Sequence, residues 1–108
     1  NSKEQIFTEK LRSLLRFGAV SSRYKDVYDL CYLADLVDKN RLMECMHTYI
    51  LDDPGMREND MAAVLKRVNR TFSDRLYRQN INRSNRYNWL GIKSTDAFDK
   101  ITGFLETL

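Results

Sequence analysis

A chain of 108 residues makes one domain with a modest core and is short for an enzyme that needs two lobes. A hydrophobic fraction of 43%, with 11% aromatic, excludes disorder, and four Gly with a single Pro leave few places where a helix must stop, so an all-α fold is expected: one domain over residues 1–108, a compact bundle of about five helices. The net charge of +3 is mild but uneven, since eight basic residues between Met61 and Lys93 meet Asp74 as the only acid.

From Lys3 to Phe17, Phe7, Leu11, Leu14 and Leu15 follow the i, i+4, i+7, i+8 spacing of an amphipathic helix that Gly18 is placed to end. After the linker 19–22, a second helix is expected from about Tyr24 to Val37, with Val27, Leu30, Leu33, Ala34 and Val37 on one side and Tyr28, Tyr32 and Asp35 facing solvent. Asp38 to Asn40 are expected as a break or a kink. A third helix carries Leu42, Met43, Met46, Tyr49 and Ile50 and stops at "DDPG", residues 52–55. A fourth, capped by Asn59 or Asp60, places Met61, Val64, Leu65, Val68, Phe72 and Leu76 inward, and either continues to about Asn80 or breaks near Thr71. The Asn, Ser and Arg-rich stretch from Gln79 to Gly91 is expected as loop or short helical turns, because these side chains compete for backbone hydrogen bonds. Ser94 or Thr95 then caps a last helix with Phe98, Ile101, Phe104, Leu105 and Leu108 inward.

Two places break the apolar pattern. At about 100° per residue, Lys10 falls within the buried arc of helix one, and on helix two Asp26 lies in line with Leu30, Leu33 and Val37 while Asp29 flanks them. Each has a plain structural account. The lysine can snorkel past the core edge, and a first-turn aspartate is favoured by the helix dipole and can pair with Arg23. A lysine and two aspartates on the core-facing sides of consecutive helices are harder to dismiss, because burying charge costs several kcal/mol unless it is paired or faces a wet cleft. Such a cleft would suit phosphate oxygens at the ammonium and a carboxylate acting as base or beside a metal.

The stretch "EQIFTEKLRSLLRFGAVSSRYKDVYDLCYL", residues 4–33, resembles the third and fourth motifs of the AbiEii/AbiGii nucleotidyltransferase toxin family, abortive-infection toxins of type IV toxin–antitoxin systems. Glu4, Glu9, Lys10, Leu11 and Leu14 match a helix that in the family supplies a lysine. Arg23, Lys25, Asp26, Asp29 and Leu30 match the following "R-x-K-D-x-x-D-L" helix with its acidic residues.

The resemblance implies a nucleotidyltransferase of the polymerase-beta type that uses an NTP and Mg2+, acts on RNA such as the acceptor end of tRNA, and is opposed by a cognate antitoxin. It also implies roles: Lys10 as a contact to the nucleotide phosphates, Asp26 and Asp29 as the acids in or beside catalysis, and Arg23 and Lys25 as supporting or phosphate-contacting groups. Which aspartate matters more stays open. The chain carries no "GGT" or "GSxxxD" turn and no Asp-x-Asp pair on a strand, so no metal site is expected within it. It is read as the C-terminal part of a larger nucleotidyltransferase, inactive alone.

Arg70, Arg75, Arg78, Arg83 and Arg86 alternate with Phe72, Tyr77, Tyr87 and Trp89, a pattern suited to phosphate contacts with base stacking on RNA, or equally to a solvated helix face whose aromatics are core. The competing function is a non-catalytic helical module that binds nucleic acid or a protein partner, although no helix-turn-helix with a polar recognition helix stands out. Cys31 and Cys45 are expected as reduced core residues, His47 as structural, and Met43, Met46 and Met56 as core or turn residues. No leader or membrane-spanning run is evident, which suggests a cytoplasmic protein, and exposed faces left by an absent lobe could support a homodimer.

Overall fold

Ser2 opens the first helix, α1 (Lys3–Phe17), by accepting the Gln5 amide hydrogen at 3.0 Å, which satisfies one of the unpaired donors at a helix start. The computed structural model describes residues 1–108, and its regular structure is entirely helical. Gly18 ends α1 at φ 55°, a conformation that favours glycine, and a Cβ there would also collide with the Arg67 guanidinium that lies over it.

The second helix, α2 (Tyr24–Leu33), stops four residues before the expected Val37. Asp38 sets the boundary: it adopts an extended backbone and caps α3 (Lys39–Met46) through the Arg41 amide at 3.0 Å, so Ala34 to Leu36 are left to turns. Glu4 of α1 accepts the Asp38 amide hydrogen at 2.9 Å and ties this junction to the first helix. After α3 the chain widens into one π-helical turn over His47–Leu51. Arg12 fastens the following turn, donating to the Tyr49 carbonyl and to Asp53, each at 3.0 Å. The Gly55 amide and then Arg12 hold the Asp53 carboxyl below the usual carboxylate range.

Asp60, one of the two expected caps, starts α4 (Met61–Ser73), accepting from the Ala63 amide at 2.8 Å. The break near Thr71 is the alternative that holds. The Asp74 amide closes on Thr71 while its carboxylate caps α5 (Arg75–Arg83) at the Tyr77 amide, 2.8 Å. Of the expected loop or short helical turns from Gln79, residues 79–83 are helical, part of α5, because the Asp74 cap and the buried Tyr77–Ile81 pair outweigh the local polar competition. Leu76, expected inward, points outward because the break resets the helix phase, which corrects that expectation. The bundle therefore has six α-helices. In the last, α6 (Ser94–Leu105), neither Ser94 nor Thr95 is the cap. Lys93 occupies that position without a side-chain bond, and the Ser94 hydroxyl instead donates to Asn82 at 2.8 Å, joining α6 to α5.

The central helix is α1, packed on α2, α3 and α4, with α6 closing on α2 and α4. Phe7, Leu11, Leu30, Leu42, Met46, Ile50, Val64, Val68 and Ile101 are fully buried in one core. The radius of gyration, 12.9 Å, matches the roughly 13 Å of a 100-residue domain. Tyr28, expected on the outer face of α2, is buried, because α6 and the turn at Asn85–Tyr87 cover that side; Tyr32 and Asp35 remain exposed. Cys31 is buried and Cys45 only partly so, which corrects its placement in the core; both are free thiols pushed up by burial.

Tyr77 is fully buried among Phe72, Phe98 and Tyr24, and its hydroxyl has no hydrogen-bond partner. Burial raises its pKa strongly. A buried, unpaired hydroxyl costs about 1–3 kcal/mol. Tyr77→Phe is therefore expected to stabilise the fold by about 1 kcal/mol, read as a higher Tm in thermal unfolding; a lower Tm would reveal a hidden partner.

Candidate functional site

The two interruptions of the apolar pattern meet. Lys10 on α1 places its ammonium 2.9 Å from Asp26 Oδ1 and 3.1 Å from Asp29 Oδ2, so one cation bridges two carboxylates set three residues apart on α2. This follows from the helical repeat, which stacks i and i+3 on one face while α1 and α2 pack together. Two more cations flank the pair. Arg23 Nε donates to Asp26 Oδ2 at 2.8 Å, and Lys25 Nζ to Asp29 at 2.9 and 3.0 Å.

The inner groups are sheltered and the outer ones are not. The Lys10 side chain is 21% exposed and both aspartates 11%, against 64% for Arg23 and 61% for Lys25. Three positive charges serve two negative ones. The crevice beside them, lined by Lys10, Ser13, Ser21, Arg23 and Asp26, measures about 10 Å³, which is room for one water at most. Any phosphate reaching Lys10 must therefore draw Arg23 or Lys25 aside, the two cations of the cluster that are open to solvent.

Burial alone would lower the Lys10 pKa, yet hydrogen bonds to Asp26 and Asp29 and their charges carry it above the ordinary lysine value. Burial would raise Asp29, but Lys25, Lys10 and Trp89 together hold it below the usual carboxylate range. Both are fully charged at neutral pH.

The Trp89 indole N–H donates to Asp29 Oδ1 at 2.8 Å, across sixty residues of chain. Its ring meets Tyr32 edge-on at 5.2 Å, and the Asn88 side chain, bonded to the Gly91 amide and the Ile92 carbonyl, shapes the turn beside it. Sequence reasoning placed Trp89 with the stacking aromatics and missed this contact. The only signal was a lone Trp in a polar loop. Glu4, another motif residue, is buried as the acceptor of the Asp38 amide, which makes it part of the scaffold rather than of the cluster.

The structure thus brings together Lys10, Arg23, Lys25, Asp26 and Asp29. It does not join the second set into one surface with the aromatics between them. Arg70, Arg75, Arg78, Arg83 and Arg86 are exposed, but Phe72 and Tyr77 are core side chains and cannot stack on a base. Arg78 is also engaged, donating to the Phe72 carbonyl at 2.6 Å and lying over the Phe98 ring, and Arg86 covers Tyr87. His47 is exposed and bonds Asp52 at 3.2 Å, with no nucleophile beside it.

No three His, Cys, Asp or Glu side chains gather as a metal site, and no helix is long and apolar enough to cross a membrane. No curated protein and no solved structure matches the chain. The family model described as nucleotidyl transferase AbiEii toxin, type IV toxin–antitoxin system, matches residues 2–100, which include both helices of the cluster and the Trp89 turn. The chain belongs to the AbiEii nucleotidyl transferase toxin family of type IV toxin–antitoxin systems.

Proposed function

We propose that this chain is the C-terminal helical part of a toxin that transfers a nucleotide from an NTP to RNA, with tRNA as the acceptor to test first. In the transfer, an acceptor hydroxyl attacks the α-phosphorus, its proton passes to a base, and pyrophosphate leaves. The observation that carries the reading is the Lys10 ammonium held between Asp26 and Asp29 with cations to spare.

The surplus positive charge fits the phosphates of a nucleotide. Lys10 uses two of its three N–H donors on the aspartates and keeps one for a phosphate oxygen. Arg23 and Lys25 can trade their carboxylates for incoming phosphates, which would free an oxygen of Asp26 or Asp29 to accept a proton or orient the acceptor. The two carboxylates do not by themselves fit Mg2+, because each already accepts from two cations. Mg2+ bound with the NTP would supply charge neutralisation at the phosphates. In this reading its ligands lie outside residues 1–108, and the helical part is inactive alone. A cognate antitoxin is the partner that the family implies, and the cytoplasm is the compartment in which this reading places the pair.

One observation favours the alternative, a non-catalytic helical module. Every oxygen of the two cluster carboxylates already accepts a hydrogen bond or ion pair, as in a purely structural network. The experiment that separates the two is induction of the full-length protein in a bacterial host as wild type, Lys10→Ala and Asp26→Asn. Growth and incorporation of labelled NTP into RNA are followed together. Arrest and labelling by wild type, lost in both variants, is expected; variants that arrest growth and label RNA like wild type would sink the catalytic assignment.

A further inference from the structure

On the far flank of α1 from Lys10, a groove of about 480 Å³ runs between the end of that helix, the 55–58 turn and α4. Arg16, Arg57, Lys66, Arg67 and Arg70 line it, and Glu58 is its only acid. The helical repeat explains the gathering. Val64 and Val68 bury one side of α4, so Lys66, Arg67 and Arg70 share another, and Ala63, one turn before Arg67, keeps the floor open. Arg67 is fixed over Gly18, its Nε donating to the Leu15 carbonyl at 3.3 Å.

None of these five cations is ion-paired. All seven salt bridges of the molecule lie elsewhere. Concentrating unpaired like charge in one groove is unfavourable unless a polyanion neutralises it, and guanidinium forks suit phosphate oxygens. Phe17 stands on the groove wall 53% exposed, an aromatic face against which a base could lie. An acidic peptide would use the charges but not that ring.

We propose that this groove binds the phosphodiester backbone of a single-stranded RNA segment, with one base stacked on Phe17, at a site distinct from the Lys10 cluster. The inference deepens the reading of the protein as a toxin acting on RNA and rests on it. The residues involved are mostly outside the arginine set that sequence pattern suggested; only Arg70 is shared.

The test is fluorescence-anisotropy titration of the full-length protein with a labelled single-stranded RNA, a poly-glutamate peptide and labelled ATP at several salt concentrations. Arg16, Lys66 and Arg70 are exposed and make no side-chain hydrogen bond, so the triple variant Arg16→Gln, Lys66→Gln, Arg70→Gln is expected to fold normally, as circular dichroism checks. It should bind RNA at least about tenfold more weakly, with the slope of log affinity against log salt shallower by roughly two. Phe17→Leu should weaken RNA about tenfold at unchanged slope. Glu58→Gln, which removes the groove's negative charge, should tighten RNA binding, an effect that misfolding cannot imitate.

Wild-type affinity and slope in the triple variant, or no RNA binding by wild type, would overturn the proposal. Groove-dependent binding of poly-glutamate without RNA would assign the surface to an acidic protein, and of ATP without RNA to free nucleotide; either also overturns it. Labelled-nucleotide incorporation separates this from the transfer reading. A wild type that binds RNA through the groove but transfers nothing sinks transfer alone, whereas transfer with normal RNA binding by the triple variant sinks the groove alone.

Discussion

Lys10→Ala should abolish growth arrest, cut nucleotide incorporation by about 10²–10³-fold, and destabilise the fold by about 2–3 kcal/mol. The two losses have different causes. Removing the ammonium leaves Asp26 and Asp29, both 11% exposed at the side chain, as like charges facing a vacated space, with only Arg23 and Lys25 on their outer edges. Activity falls further than folding does, because no other group reaches both carboxylates and the phosphates that Lys10 is proposed to contact. Lys10→Arg separates the two. A guanidinium keeps the charge and most of the stability but changes the donor geometry, so activity should stay low while denaturant unfolding approaches wild type. Full activity in Lys10→Arg would reduce Lys10 to a charge neutraliser. Wild-type incorporation by Lys10→Ala would remove it from the mechanism.

Asp29→Ala is the second large effect, expected at about 2 kcal/mol of stability with loss of transfer activity. Asp29 joins three parts of the molecule, accepting from Lys10 of α1, Lys25 of its own helix and Trp89 of the distant loop. Its stabilisation carries a pH signature. The folded carboxyl is depressed below the unfolded value of about 3.9, so the contribution is complete above that pH and is lost as pH falls through the folded value. Lys10 is raised, so its contribution is complete below about 10.4 and is lost as pH climbs through its folded value. The stability gap between wild type and Asp29→Ala should thus be flat from about pH 5 to 9 and narrow below about pH 4. A gap that persists unchanged in acid would mean that packing, not charge, accounts for the loss. Trp89 fluorescence reports the same contact, and in Asp29→Ala the indole should show the emission of a more solvated ring.

The first helix was readable because its apolar spacing and its end signal agree: Gly18 closes α1 where the pattern stops, whereas α2 ends short of its apolar run because Asp38 caps the next helix. The break at Asp74 was harder. Met61 to Leu76 keeps helical spacing straight through it, and only the competition between one more helical turn and a new cap with Tyr77 and Ile81 inward decides the outcome. The same limit applies to Ser94. A serine ahead of an apolar run reads as a cap, yet the side chain of Asn82 lies close enough to claim its hydroxyl.

By itself, the sequence determined that the chain is helical, that Lys10, Asp26 and Asp29 interrupt buried faces, and that its motifs resemble those of the AbiEii family, a kinship that the match over residues 2–100 establishes. These are local properties, written in spacing along one helix at a time. Only the tertiary structure decided that one ammonium bridges both carboxylates, that Trp89 donates to Asp29, that Tyr77 is core, and that Arg16 and Arg57 join the α4 cations in one groove. Those depend on which faces of different helices meet, and helix packing sets that through the sum of many small apolar contacts that no single stretch of sequence contains.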